Sequence, residues 1–297
     1  MRLPLALLLA LAGPAAGAEA PKPAAAPAAP ADLAFGAWQR GDYKTAMAEA
    51  EKRVAANPKD AAALTLIGQM HLDGHGVARN RRTALGWFLR AAQAGGAEAA
   101  YIYGAALLGG VDVAADKAKA RGFLEQAGAK NHPAALHLLG ELALDNDGVT
   151  PDFVKAAGYF ESAAKLGDAD AQYALAELLH GGKGVDKDDV RAAELFSQAA
   201  EAGLAPAMVQ LAIFRFNGIG GPPDQARAVA LFRKAAGMGN PVAQNRLAHL
   251  LAEGIGVEKN VADALRWRDR AREAGLIDHS LDALTPEPAP PKPAAGK

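Results

Sequence analysis

Residues 71–80 read HLDGHGVARN. His71, Asp73 and His75 alternate as the ligands of a small metal clip would, yet the same letters also spell a glycine-rich turn between two helices. The rest of the chain separates these readings. At steps of 36 residues the counterparts are LLGGVDVAAD, ALDNDGVTPD, LHGGKGVDKD, RFNGIGGPPD and LAEGIGVEKN. No other copy keeps both histidines, so the stretch reads first as a repeat turn. Gly74 and Gly76 bend the chain, Val77 fills the gap between two helices, and Asn80 caps the second. A cation held by His71, Asp73 and His75 at the loop edge is the alternative.

The period gives six gapless blocks, 61–96, 97–132, 133–168, 169–204, 205–240 and 241–276. Positions 3, 24 and 31 are alanine in all six (Ala63, Ala84 and Ala91 in the first). Position 8 is small throughout: Gly68, Gly104, Gly140, Ala176, Ala212, Ala248. A small residue there lets two helix backbones approach. Position 20 is Asn80, Asp116, Asp152, Asp188, Asp224 or Asn260, a helix N-cap. Position 27 is large, and position 28 is Phe88, Leu124, Phe160, Phe196, Phe232 and then Arg268. With the alanines they form one apolar helical face. Position 35, glycine in all but Asn131, suits a left-handed helix end. The spacing thus predicts a helix A over about positions 1–12 and a helix B over about 20–34 in each block. Neither buries its apolar face alone; stacking buries both.

These residues resemble the Sel-one-like repeat (SLR), a relative of the tetratricopeptide repeat. The likeness rests on the small residue at position 8, turns such as Gly182-Lys183-Gly184-Val185, and endings such as Ala235-Ala236-Gly237. Val111-Asp112-Val113 and Gly220-Gly221-Pro222 depart from it, as do Arg268 and Arg272, which give the last block a solvent-facing outer surface. The resemblance implies an all-α, right-handed superhelical solenoid of helix-turn-helix repeats with scaffold or adaptor duties. Exported bacterial members include negative regulators of sensor proteins and others tied to the cell envelope. Some secreted members bridge each repeat with paired cysteines; this chain has none, so packing must hold it.

Outside the array, residues 32–60 read as one more, tetratricopeptide-like hairpin, with its turn at Gly41-Asp42-Tyr43, Ala46 packing its second helix, Trp38 either in its core or an exposed anchor, and a stop at Asn57-Pro58. Residues 1–18 read as a signal peptide: Arg2, an apolar run from Leu3 to Ala12, and a cleavage pattern at Ala16-Gly17-Ala18. A Pro/Ala linker follows at 19–31, and residues 277–297 read as a C-terminal cap and a disordered Pro-rich tail. A net charge of −1 gives no basic excess for nucleic acid or an anionic membrane. The absence of cysteine removes a thiolate metal site and a cysteine nucleophile. Together these features point to an exported, periplasmic chain with no transmembrane segment once mature.

Function is expected on helix A, which lines the concave side of paired-helix solenoids. Positions 3, 4, 7, 8 and 11 are mostly apolar or small, while 5, 9 and 12 vary along one stripe. From that stripe come the candidate binding residues Tyr101, His137, Glu141, Tyr173, Glu177, His180, Phe216, Asn245 and His249. Amphipathic rings and hydrogen-bonding groups suit a peptide or protein partner such as an envelope sensor, or alternatively a cell-wall glycan or muropeptide. Glu141 and Glu177 share a column and raise a third option, a hydrolase with paired carboxyls. No nucleophile elbow, P-loop, dinucleotide fingerprint or H-E-x-x-H accompanies them. The expected protein is non-enzymatic and needs no cofactor or metal.

Overall fold

Each B helix begins where one short side chain closes its first turn. Asn80, Asp116, Asp152, Asp188, Asp224 and Asn260 each accept, through Oδ1, a hydrogen bond of 2.9–3.0 Å from the backbone N–H three residues on. Their own N–H groups donate back to the carbonyl of position 11, as Asn80 does to His71 at 2.8 Å. The turn is thereby fastened to the end of helix A. Position 35 ends every B helix with positive φ, from +58° at Asn131 to +97° at Gly203.

The computed structural model describes residues 32–145 and 150–285. Residues 1–31, where a signal peptide and a Pro/Ala linker are expected, and the expected Pro-rich tail from residue 286 lie outside the described residues. Within them the chain is all α-helix apart from a short 3₁₀ turn at His279–Leu281. An N-terminal pair, α1 (Leu33–Gln39) and α2 (Tyr43–Ala56), precedes six more. These are α3 (Ala61–Asp73) and α4 (Arg81–Gln93), α5 (Ala97–Gly109) and α6 (Lys117–Gly128), α7 (Pro133–Leu144) and α8 (Phe153–Lys165). Then come α9 (Ala169–Gly181) and α10 (Asp189–Glu201), α11 (Ala205–Asn217) and α12 (Gln225–Gly237), α13 (Pro241–Glu253) and α14 (Val261–Glu273). Each helix packs on the next in chain order, which makes an all-α solenoid. Among the described residues, no helix is long and apolar enough to cross a membrane.

The repeated columns occupy repeated places. Positions 3, 4 and 8 are buried in all six blocks. Position 28 supplies the largest core side chains: Phe88 and Phe196 have no exposed surface, and Phe160 has 1%. Position 8 makes room for the position-28 side chain of its own repeat and, at Gly104, also for the facing backbone, since a Cβ there would stand 3.2 Å from the Ala120 carbonyl oxygen. A Cβ on Gly68 would stand 2.8 Å from Phe88 Cε1, and one on Gly140 would run into Phe160. Apart from buried Leu195, position 27 stays half-buried at the flank, where Arg90 lies 4.3 Å over Trp87 and Arg270 lies 4.7 Å over Trp267.

Successive repeats meet at position 16. A Cβ on Gly184 would overlap the backbone of Phe153, the first residue of the preceding B helix, and one on Gly256 would come 2.8 Å from the Gln225 carbonyl oxygen. The second block has Asp112 there, at φ +63°, and its carboxylate pairs with Arg81, again the first residue of the preceding B helix, at 3.0 Å. At the N-terminal end Arg53 joins the extra pair to the array. It binds Asp60, the cap of α3, through two bonds of 2.9 and 3.0 Å and reaches Asp32, the cap of α1. Arg53 holds both carboxyls below their ordinary pKa.

The C-terminal end corrects one expectation. Arg268 and Arg272 do not face solvent freely. The Arg268 side chain is 16% exposed and donates to the Leu281 carbonyl at 3.3 Å, while Arg272 pairs with Asp282. Residues 276–285 fold back over α14 and bury Leu281.

Candidate functional site

His75 stacks on Tyr43 with ring centroids 4.3 Å apart, and its Nδ1 stands 3.9 Å from Asp73 Oδ2. Among the described residues no group of three or more His, Asp or Glu side chains converges as a metal site.

The helix-A stripe divides cleanly from the core. Of the eighteen positions numbered 5, 9 and 12, every one except Val209 keeps some contact with solvent. Hollows lie between successive A helices along it. One of about 490 Å³ joins α5 to α7 and is lined by Leu108, Leu138, Glu141 and Leu142. Another of about 350 Å³ joins α11 to α13 and is lined by Ile213, Phe216, Arg246, His249 and Glu253. A third, at the N-terminal end, lies between α1, α3 and the start of α5.

Several stripe residues are already engaged. Tyr101 stacks on His132 at 4.6 Å, and His132 both caps α7 and contacts Glu98 at 2.9 Å. His137 leans on Phe160 and lies 3.8 Å from exposed Glu141. Tyr173 leans on Phe196, and its hydroxyl meets the Gln210 side chain; burial raises its pKa. His180 Nδ1 meets Asp189 Oδ1 at 2.5 Å, and its ring leans on Phe214. Asp189 is held below its usual pKa mainly by that contact. Glu177 is open to water on one side. Even so, the protein around its carboxyl raises its pKa against the pull of His180 and Lys183.

Asn245 and His249 hold something the sequence reading did not foresee. Asn245 Nδ2 donates to Asp278 Oδ2 at 3.0 Å, and His249 Nε2 lies 2.9 Å from the same oxygen. The returning C-terminal segment thus fills the stripe's end. These contacts, His249 first, hold the Asp278 carboxyl far below its ordinary pKa, with help from Ser280. A depressed folded pKa contributes stability above the unfolded value, near 3.9, and loses it as pH falls toward the folded value. The urea-midpoint gap between wild type and Asp278→Asn is therefore expected to be full at about pH 6 and to narrow below about pH 4. A gap that stays constant down to about pH 2 would remove Asp278 as the anchor.

Sequence reasoning also passed over Gln210, Arg246 and Glu253. They occupy positions 6 and 13, which vary from block to block as 5, 9 and 12 do. That variation was the available signal.

The chain resembles solved Sel1-type repeat proteins. It is 28% identical to a Sel1 repeat protein from Oxalobacter formigenes, with a TM-score of 0.70 over 82% of this chain and 97% of that one. It is also 28% identical to a protective antigen of uropathogenic Escherichia coli with an SLR fold, again at a TM-score of 0.70. That match covers 77% of this chain but only 49% of the antigen, so this chain spans about half the antigen's length. No curated protein matches. The Sel1 repeat model matches six times in tandem, at 61–96, 97–132, 133–168, 169–204, 205–240 and 241–276. With the greater part of its length made of these units, each folded as the same capped helix pair, the chain belongs to the Sel1 repeat family.

Proposed function

We propose that this protein is a non-enzymatic scaffold or regulator of the bacterial envelope that binds a protein or peptide partner along its helix-A stripe. Sel1 repeats generally mediate protein–protein interaction. The observation that carries the reading is the division of helix A. Positions 3, 4 and 8 are buried in every block, whereas 5, 9 and 12, buried Val209 apart, present varied side chains to solvent beside a row of hollows. A surface with fixed packing beneath and varied chemistry above offers pockets for anchor side chains and hydrogen bonds at the rim. The signal peptide read at residues 1–18 supports export. One contact favours peptide over glycan: Tyr101 gives one face of its ring to His132, which reduces the platform a sugar needs.

Tyr101→Ala combined with Tyr173→Ala is expected to weaken capture of the native partner at least about tenfold, by the loss of anchor residues. The exposed helix-B pair Val154→Ala and Val190→Ala should leave it unchanged. Melting curves check that both double variants stay folded. Capture that survives the tyrosine changes removes the stripe as the binding face. Co-sedimentation with purified sacculi, lost in the same variant, would instead favour the glycan reading.

A further inference from the structure

The hollow at the N-terminal end has a wall of two stacked aromatic rings. Phe35 and Trp38 of α1 stack at 5.6 Å and face Ala62, Thr65 and Leu66 of α3 across about 490 Å³. Phe35 is 46% exposed. Glu98, on α5, stands at the far rim, its side chain 61% exposed and already 2.9 Å from His132. An aromatic slot with one carboxylate at its edge fits a polyproline strand carrying a cation. Prolines lie on the rings and a lysine meets the acid.

The chain supplies such a strand next to the slot. Residues 21–31 read PKPAAAPAAPA and run directly into Asp32, the cap of the helix that carries both rings. We propose that this segment of the same chain docks in the Phe35–Trp38 hollow, with Lys22 paired to Glu98. From Lys22 to Asp32 an extended polyproline run covers about 30 Å, enough to cross a hollow whose wall begins at Phe35. Its stiffness keeps the entropy lost on docking small, and the short tether gives an effective concentration in about the millimolar range. The docked segment covers Thr65 and Gln69, the first-block members of stripe positions 5 and 9, and so competes there with any partner. The inference stands independently of who that partner is.

The sequence PKPAA recurs at residues 291–295, which makes a second copy's tail the rival occupant. Because the chain has no cysteine, a single nitroxide can be placed at Ala25→Cys in the full chain. With 5-fluorotryptophan at Trp38, Trp87 and Trp267, the nitroxide is expected to broaden the Trp38 resonance and to spare Trp267. Broadening should be at least twofold greater than in a chain with Pro21, Pro23 and Pro27 all changed to Ser, and independent of dilution. Glu98→Lys should reduce it, and Lys22→Glu in that background should restore it. Equal broadening in the serine chain would mean mere tethering and overturn the proposal. Broadening of Trp38 that rises with protein concentration would place the occupant on a second copy and overturn it equally.

Discussion

Gly184→Ala should destabilise the array far more than a single added methyl suggests, by about 2–4 kcal/mol. Two separate costs combine. The residue sits at φ +69°, where an L side chain costs about 1–2 kcal/mol. The new Cβ also overlaps the backbone of Phe153, which heads the preceding B helix and cannot yield as a flexible side chain would. Relief requires the third and fourth repeats to part. Because repeats are stabilised by their neighbours' faces, the expected signature is a denaturation curve that broadens or splits in two. Position 16 of the second block provides the control. Asp112 already adopts φ +63°, and its pair with Arg81 is solvent-exposed, so Asp112→Gly should change stability by no more than about 0.5 kcal/mol. A Gly184→Ala midpoint within error of wild type would mean that the turns do not hold the repeats in contact.

Phe196→Ala should cost about 3–5 kcal/mol. The ring is fully buried on α10 and lies 5.6 Å from Tyr173 of its own repeat and 5.1 Å from Phe214 of the next. It therefore packs helix B to helix A within one repeat and links that repeat to its successor. The cavity left behind also removes the backing of Tyr173, so partner binding should weaken as well, although Phe196 is out of a partner's reach. Phe196→Leu keeps most of the volume and should recover most of the stability. The urea midpoints of the two variants give the comparison; equal losses for alanine and leucine would show that volume is not what the site requires.

The parts of this fold that were legible in the sequence are those that repeat and act locally. A cap at position 20 needs only the next three residues, and a left-handed residue at position 35 only its own turn, so each column carried its meaning openly. The core alanines and the position-28 rings were legible because helical spacing gathers them on one face. The small residue at position 8 was legible as a point of close helix approach, but the position-28 side chain it accommodates was not, since that lies twenty positions away on the other helix. The glycine at position 16 was read as a turn residue; its contact with the preceding B helix depends on how repeats are offset, which no single block encodes. The stripe was found because its columns vary, yet Asn245 and His249 pair with Asp278, 33 and 29 residues downstream and past the last repeat. A periodic argument cannot reach beyond the period's end.

The claim that binding belongs to the helix-A stripe is tested most directly by photo-crosslinking in the native envelope. A photoreactive phenylalanine at Tyr173, on α9, should capture one discrete partner, and the same probe at Val190, 59% exposed on α10 of the same repeat, should capture none. Capture at Val190 without capture at Tyr173 would place the interface on helix B and contradict the assignment.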